Sequence, residues 1–295
     1  MLKYSLKELD KLESLFIEII DYPLKKEVLL YPICYCQLVR KTNSFEIELS
    51  KLINCANKTF RAVRGSWQDI LAELNMFQVY TIDGNIYTGK DILKLADTES
   101  LYITLLQEYK ENFNTFCSKL LKYWNILSRI STYGKRNMIV ESIYITSLAF
   151  NEKLYEEVQL YINLNEEYFE KTSSFFRAIY YISEVFKEME CNICTEESVR
   201  KLEKALKHLE DIQEVFYGIN IAKLRKDTEK FIKDLQKRKN PEMFTIEFVK
   251  GKDRNGSIFK KIINVITGKL KGPKPFGNIN LIVQKDYDLL CKGNL

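Results

Sequence analysis

Apolar residues recur every three or four positions along most of this 295-residue chain, a spacing that places them on one side of an α-helix. In the first third of the chain, the pattern predicts four helices over residues 3–20, 25–41, 45–53 and 57–74. Glycine and proline, which all-β folds need for their many turns, number only 11 and 5. The chain is therefore predicted to be mainly helical.

The pattern changes from a helical period to an alternating one after Asn75. A β-hairpin is predicted at residues 79–88, where two β-branched and aromatic runs flank the Asp-Gly-Asn turn at 83–85. Residues 90–96 return to helical spacing, and the polar residues 97–100 interrupt it. We place a domain boundary near this interruption.

Helical spacing then continues from Leu101 to Arg238. It predicts five helices, over residues 101–127, 137–150, 152–190, 195–217 and 220–238. Gly218 would end the fourth helix as its C′ residue, and the fifth helix would fold back on the fourth. This hairpin, residues 199–235, carries a heptad-like apolar stripe and is our candidate element for a homodimer.

The remainder of the chain is basic and contains glycine and proline. Two short strands are predicted at residues 244–249 and 279–283, with a helix at 257–266 between them. Asp253 is the single acidic residue between positions 250 and 274. The basic residues of this stretch are Lys250, Lys252, Arg254, Lys260, Lys261, Lys269, Lys271 and Lys274.

The predicted organisation has three parts. Residues 1–97 form a module of helices and a β-hairpin, and residues 98–240 form a helical domain for oligomerisation or partner binding. Residues 241–295 form a small basic α/β tail.

The composition argues against catalysis. The chain has one histidine, His208, which lies in a charged helical stretch, so no Ser-His-Asp or Cys-His arrangement can be assembled around it. The Gly-Lys pairs at 251–252 and 268–269 lack the GxxxxGK[ST] frame of a phosphate-binding loop. We expect no catalytic residues, no enzyme activity and no cofactor.

The cysteines do not predict a metal site. Cys191 and Cys194 have the spacing of half a zinc site or of a redox pair, but no second CxxC or CxxH follows and His208 lacks a further ligand nearby. Cys34 and Cys36 are predicted to be small apolar fillers on or near a helix face.

The sequence also predicts a location. Seven cysteines, an odd number without dense framework spacing, are typical of a reducing compartment. The N-terminal residues mix acidic and apolar side chains and do not resemble a signal peptide, and no stretch reaches the ~18 consecutive apolar residues of a spanning helix. We expect an intracellular, cytoplasmic protein that does not enter a membrane.

A short helix, a turn, a longer helix and a hairpin follow one another in residues 25–97. The longer helix carries the apolar stripe Phe60-x2-Val-x3-Trp-x2-Ile-Leu-x2-Leu74, and VYTIDGNIYT comes after it. This order resembles the winged helix-turn-helix family of DNA-binding domains. The resemblance implies a positioning helix at 45–53, a recognition helix at 57–74 and a wing at 79–88. Such a recognition helix packs its apolar stripe inward and turns its other face to the major groove.

The outward face of the predicted recognition helix lacks acidic residues until Asp69. Arginine can bind guanine through two hydrogen bonds, asparagine and glutamine can bind adenine, and lysine can hold phosphate. The wing has Asp83 at its tip and no Lys or Arg. The predicted DNA-binding residues are Asn57, Lys58, Arg61, Arg64 and Gln68, with Asn85 and Lys90 as candidates for phosphate contacts. The basic residues between 250 and 274 are expected to add contacts to the nucleic-acid backbone.

These features predict a DNA-binding protein. The net charge of +5 is a mild excess that permits nucleic-acid binding. We expect sequence-directed binding of double-stranded DNA, as a transcription regulator or as a replication or partition factor. A homodimer is expected because one winged helix contacts few base pairs. The alternative is a helical interaction scaffold or assembly subunit whose winged helix binds protein.

Overall fold

The computed structural model is mostly helical and contains a small antiparallel sheet, so the predicted helical class is confirmed at that level. The chain divides into two compact units, and the second unit begins at Arg129. No helix in the described part of the chain is long and apolar enough to cross a membrane. The structure describes residues 11–59, 65–130, 138–237, 239 and 241–249.

The first unit combines helices with a sheet. Two 3₁₀ helices, Pro23–Leu29 and Gly89–Lys94, lie among its α-helices. Pro32 is in the first turn of the second α-helix, where its missing N–H breaks no hydrogen bond of the helix. The α-helices described in this unit are α1 (Lys11–Asp21), α2 (Leu30–Thr42), α3 (Leu49–Thr59), α4 (Trp67–Leu74), α5 (Gln107–Glu111) and α6 (Phe113–Leu127).

The sheet of the first unit has the strand order β1-β4-β2-β3, and each pair of neighbours is antiparallel. Ile103 lies opposite Ile47 on one side and Val79 on the other, and all three side chains are buried. The pairing of β2 with β3 confirms the predicted hairpin. The strands are β1 (Ile47–Glu48), β2 (Phe77–Thr81), β3 (Ile86–Thr88) and β4 (Leu101–Leu105).

Strand β4 differs from the sequence prediction. Residues 101–127, predicted as one helix, contain β4, α5 and α6. The run Leu-Tyr-Ile-Thr-Leu obtains backbone partners from β1 and β2, and this tertiary context outweighs the helical spacing of its leucines. Because β4 belongs to the sheet, the first unit does not end near residue 97 and extends to Ser128.

Tyr35 of α2 joins β1 to β4. Ile47 pairs with Ile103, so the same register places Phe45 opposite Leu105. The Tyr35 hydroxyl donates a hydrogen bond of 2.5 Å to the Phe45 carbonyl and accepts one of 3.2 Å from the Leu105 N–H. The hydroxyl therefore bridges the two strands just where their direct pairing ends.

We expect Tyr35→Phe to lower the free energy of unfolding by about 1–3 kcal/mol, because the buried Leu105 N–H then lacks its acceptor. Chemical denaturation followed by circular dichroism measures this change. Tyr22→Phe is the matched control, since the Tyr22 side chain is 63% exposed. Equal stability of the two variants would contradict the bridging role of Tyr35.

A disulfide between Cys36 and Cys117 connects α2 to α6. The two Cα atoms are 6.1 Å apart, within the range that a disulfide spans. Cys36 is therefore a disulfide cysteine and not the apolar filler that was predicted. The prediction was wrong because the apolar pattern along α2 cannot reveal a partner 81 residues away. Cys34 is buried, as a small apolar filler would be. The pairing also differs from the reduced cysteines expected from their number.

We expect the double substitution Cys36→Ala with Cys117→Ala to lower the free energy of unfolding by about 4 kcal/mol, because it removes an 81-residue covalent constraint from the unfolded chain. Denaturation without reductant measures the effect. The control is Cys191→Ala with Cys194→Ala, which removes two exposed free thiols. A parent protein whose stability does not change on adding reductant would count against the disulfide's contribution.

The second unit is organised around one long helix, α9. Its side chains Phe176, Ile179 and Phe186 are buried, and the helix packs against α7, α8 and α10. The predicted helix at 152–190 is divided into α8, a 3₁₀ helix at Glu166–Thr172, and α9. The α-helices described in this unit are α7 (Met138–Asn151), α8 (Tyr155–Leu164), α9 (Ser173–Glu190), α10 (Glu196–Glu210) and α11 (Ile221–Gln236).

A small hairpin follows α10, where the sequence predicted more helix. It consists of β5 (Val215–Phe216) and β6 (Ile219–Asn220). Tyr217 and Gly218 between them have φ values of +45° and +82°. Two successive positive φ values are typical of a tight hairpin turn, so Gly218 is a turn residue and not a helix C′ residue.

Helices α10 and α11 pack against each other, as predicted for the hairpin 199–235. Leu202 and Leu209 of the predicted stripe are fully buried within the second unit, in which α10 also packs on α9, whereas Val199, Leu206 and Phe216 are half-buried. Two positions of the stripe proposed for a homodimer are therefore already used inside the unit.

Residues 241–249 contact α7 and α9 of the second unit. The Asn151 side chain accepts a hydrogen bond from the Ile246 N–H (2.7 Å) and donates one to the Ile246 carbonyl (2.9 Å). The Phe244 ring packs 4.9 Å from Phe186. The predicted strand at 244–249 forms only an isolated bridge, from Phe248 to Ile219. The predicted strand at 279–283 lies outside the described residues.

Candidate functional site

The predicted recognition helix at 57–74 is not one helix. Helix α3 is described as far as Thr59, and α4 begins at Trp67 after two residues that are not helical, Gly65 and Ser66. The Ser66 hydroxyl accepts a hydrogen bond from the Asp69 N–H at 3.1 Å, and the Asp69 carboxylate accepts one from the Ser66 N–H at 3.3 Å. This reciprocal pair is a capping box, which defines a helix start. The prediction of a continuous helix was wrong because the apolar spacing continues across this start signal.

The predicted DNA-binding residues consequently belong to different elements. Asn57 is exposed near the end of α3, and Lys58 follows it. Gln68 is in α4, Asn85 is in the turn between β2 and β3, and Lys90 is in the second 3₁₀ helix. Arg61, Arg64 and the basic residues between 250 and 274 lie outside the described residues.

Gln68 has a structural partner. Its side-chain amide donates a 3.1 Å hydrogen bond to the Leu95 carbonyl. The 3₁₀ helix at Gly89–Lys94 packs against α4, and its Ile92 is fully buried. The amide of Gln68 therefore links α4 to Leu95, the residue that follows the second 3₁₀ helix.

The exposed charges between residues 66 and 106, a range that contains α4 and the β2–β3 hairpin, are mostly negative. Between residues 66 and 106 the only basic residues are Lys90 and Lys94, and Lys94 pairs with Asp91 at 2.6 Å. Glu73 of α4 pairs with Lys25 at 3.0 Å. The exposed acidic residues in this range are Asp69, Glu73, Asp83, Asp91, Asp97 and Glu99. Such a surface repels nucleic-acid phosphates.

Apolar side chains are exposed on the same region. Ile82 is 72% exposed, Ile86 is 64% exposed and Leu93 is 48% exposed. We call these three residues, with the neighbouring Asp83 and Asp91, the wing surface. The sequence analysis missed their exposure, because a β-branched run predicts a strand without showing that the strand is at the edge of its sheet.

The outer face of the sheet continues from the wing surface. Ile86 pairs with Tyr80, Tyr80 with Tyr102, and Tyr102 with Glu48, so one row crosses the sheet. The two tyrosine rings stack at 5.7 Å. Burial, together with the charge of Glu46, raises the pKa of Tyr80 to about 12. The Tyr80 hydroxyl therefore stays protonated at neutral pH.

Cys191 and Cys194 follow the end of α9 as exposed free cysteines. Burial of the sulfur and the negative charge of Glu188 raise the pKa of the Cys194 thiol, which favours its protonated form. In the described ranges, no group of three or more His, Cys, Asp or Glu side chains is placed to hold a metal ion.

One relative places the chain in a family. The chain is 39% identical over 266 residues to a protein of Aquifex aeolicus (strain VF5) that is described as uncharacterized, and the match covers 88% of this chain and 84% of the relative. The chain belongs to the same family as that protein. No family model and no solved structure matches this chain.

Proposed function

We propose that the first unit is a winged-helix module that binds a protein partner through the wing surface. The chain would then be an interaction subunit and not an enzyme. The observation that carries this proposal is the exposure of Ile82 and Ile86 in a region where acidic residues outnumber basic ones. The order of α2, α3, α4 and the β2–β3 hairpin supports the winged-helix assignment, since the resemblance rests on that order.

The wing surface indicates the chemistry of the partner. Burying one exposed isoleucine contributes about 1.5–3 kcal/mol, so Ile82 and Ile86 together can anchor an interface. The surrounding carboxylates, Asp83 and Asp91 among them, favour a basic partner and speed its encounter. A protein surface with apolar and basic residues fits both features.

Sequence-directed DNA binding is the second candidate. Asn57 is exposed, Lys58 follows it, and Arg61 and Arg64 come next among the predicted DNA-binding residues in the sequence. Duplex DNA would then be contacted by these four residues, with α4 in a supporting role. In this case, the protein would act as a homodimer, either as a transcription regulator or as a replication or partition factor.

We expect the double substitution Ile82→Asp with Ile86→Asp to weaken partner binding about ten-fold or more, because it replaces apolar anchors with like charges at an acidic surface. Tagged full-length protein is used to capture partners from an extract of cells that produce it naturally, and captured proteins are quantified. Ile193→Asp is the matched control, since Ile193 is 60% exposed in the second unit.

Proteins captured by the parent and the control, but lost with the double variant, support the proposal. Identical capture by all three would contradict it. A mobility shift with duplex DNA at two salt concentrations tests the second candidate. Tight, salt-sensitive binding that is lost with Arg61→Ala and Arg64→Ala would favour DNA binding over a protein partner.

A further inference from the structure

A pocket of about 210 Å³ opens in the second unit, between the end of α8, the 3₁₀ helix at Glu166–Thr172 and the start of α9. Its lining includes Phe169 and Phe176, which are buried and whose rings stack at 3.7 Å with 15° between their planes. Tyr180 and Tyr181 also line the pocket. Phe169 and Phe176 therefore form the apolar back of the cavity, and the half-buried Tyr180 and Tyr181 supply the aromatic surface that an occupant can reach.

The aromatic wall extends past Tyr181 towards α10. The Tyr181 ring is nearly parallel to the His208 imidazole, with centroids 6.0 Å apart and 10° between the planes. Lys204 places its Nζ 5.8 Å from the centroid of the Tyr181 ring. Burial and the nearby Arg177 charge lower the pKa of His208, so the imidazole is neutral at pH 7. A neutral imidazole can stack on the Tyr181 ring without the cost of burying a charge.

Cations border this aromatic wall. Arg177 lines the pocket and forms a long, mostly exposed ion pair of 3.6 Å with Glu166. Lys204 and Lys207 are exposed, and within the described residues neither forms an ion pair with a carboxylate. Asp211 is the acidic group whose charge acts on His208. Aromatic side chains interleaved with Arg and Lys are typical of surfaces that hold nucleotides.

We propose that this pocket binds a nucleotide, with the base against Tyr180 and Tyr181 and the phosphate towards Arg177 and Lys204. A neutral apolar ligand would not use the cations, and a simple anion would not use the aromatic lining. The Arg177–Glu166 pair is loose enough for a phosphate to compete for the guanidinium. A free nucleotide and a nucleotide within a single strand share this chemistry.

His208 reports on the pocket without any label, because it is the single histidine of the chain and gives one set of imidazole resonances. The full-length protein is titrated with adenosine monophosphate, with adenosine, with inorganic phosphate and with a single-stranded oligodeoxyadenylate. We expect adenosine monophosphate or the oligonucleotide to shift the His208 signal saturably, and adenosine and phosphate to bind more weakly. Saturation by the mononucleotide identifies a free nucleotide as sufficient, and saturation by the oligonucleotide alone identifies a single strand.

Two substitutions test the assignment of residues. Arg177→Ala should weaken nucleotide binding about ten-fold because a charged contact is lost. Tyr181→Leu should weaken it to a similar extent because stacking is lost. Isothermal titration calorimetry measures both affinities. Arg200→Ala is the matched control, since Arg200 is also an exposed helical arginine with one loose ion pair, of 3.4 Å to Glu197. Circular dichroism checks that each variant is folded.

Binding by Arg200→Ala as in the parent, with weaker binding by folded Arg177→Ala, supports the pocket. No saturable shift with any of the four ligands would overturn the proposal, and so would equal binding by the Arg177 and Arg200 variants. The Ile82→Asp, Ile86→Asp variant should bind nucleotide as the parent does, so the outcome is independent of the wing surface.

Discussion

The first unit depends on holding β4 between β1 and β2, three segments that are far apart in sequence. Tyr35 contributes to this arrangement from outside the sheet, because its hydroxyl satisfies one carbonyl before β1 and one N–H at the end of β4. A two-residue strand such as β1 has few hydrogen bonds of its own. The contact from α2 therefore holds the chain before β1 beside the end of β4.

The sequence predicted those elements whose signals are local. The hairpin of β2 and β3 follows from an Asp-Gly turn between β-branched runs, and Gly84 indeed has a φ of +87°. The division between α3 and α4 also had a local signal, the Ser66-x-x-Asp69 capping box, but the apolar stripe from Phe60 to Leu74 outweighed it in the prediction. Apolar spacing identifies a buried face more reliably than it identifies where a helix starts.

Other features depend on contacts that sequence spacing does not contain. The strand character of β4 comes from its two neighbours, and the disulfide of Cys36 comes from the packing of α2 on α6. The candidate site shows the same limit. Arginines and lysines were chosen because their chemistry suits DNA, whereas the wing surface became visible only through the exposure of Ile82 and Ile86 at the sheet edge. Gln68 could not be recognised as a structural residue without Leu95 beside it.

The disulfide has a topological consequence for the wing. Cys36 and Cys117 enclose β1, α3, α4, the wing and β4 in one covalent ring. A protease that cuts the exposed wing once would open this ring without separating its two ends. The nicked protein would keep its mass on a non-reducing gel and would fall into two fragments only after reduction. The first unit can thus be cleaved at the β2–β3 hairpin and still remain a single molecule.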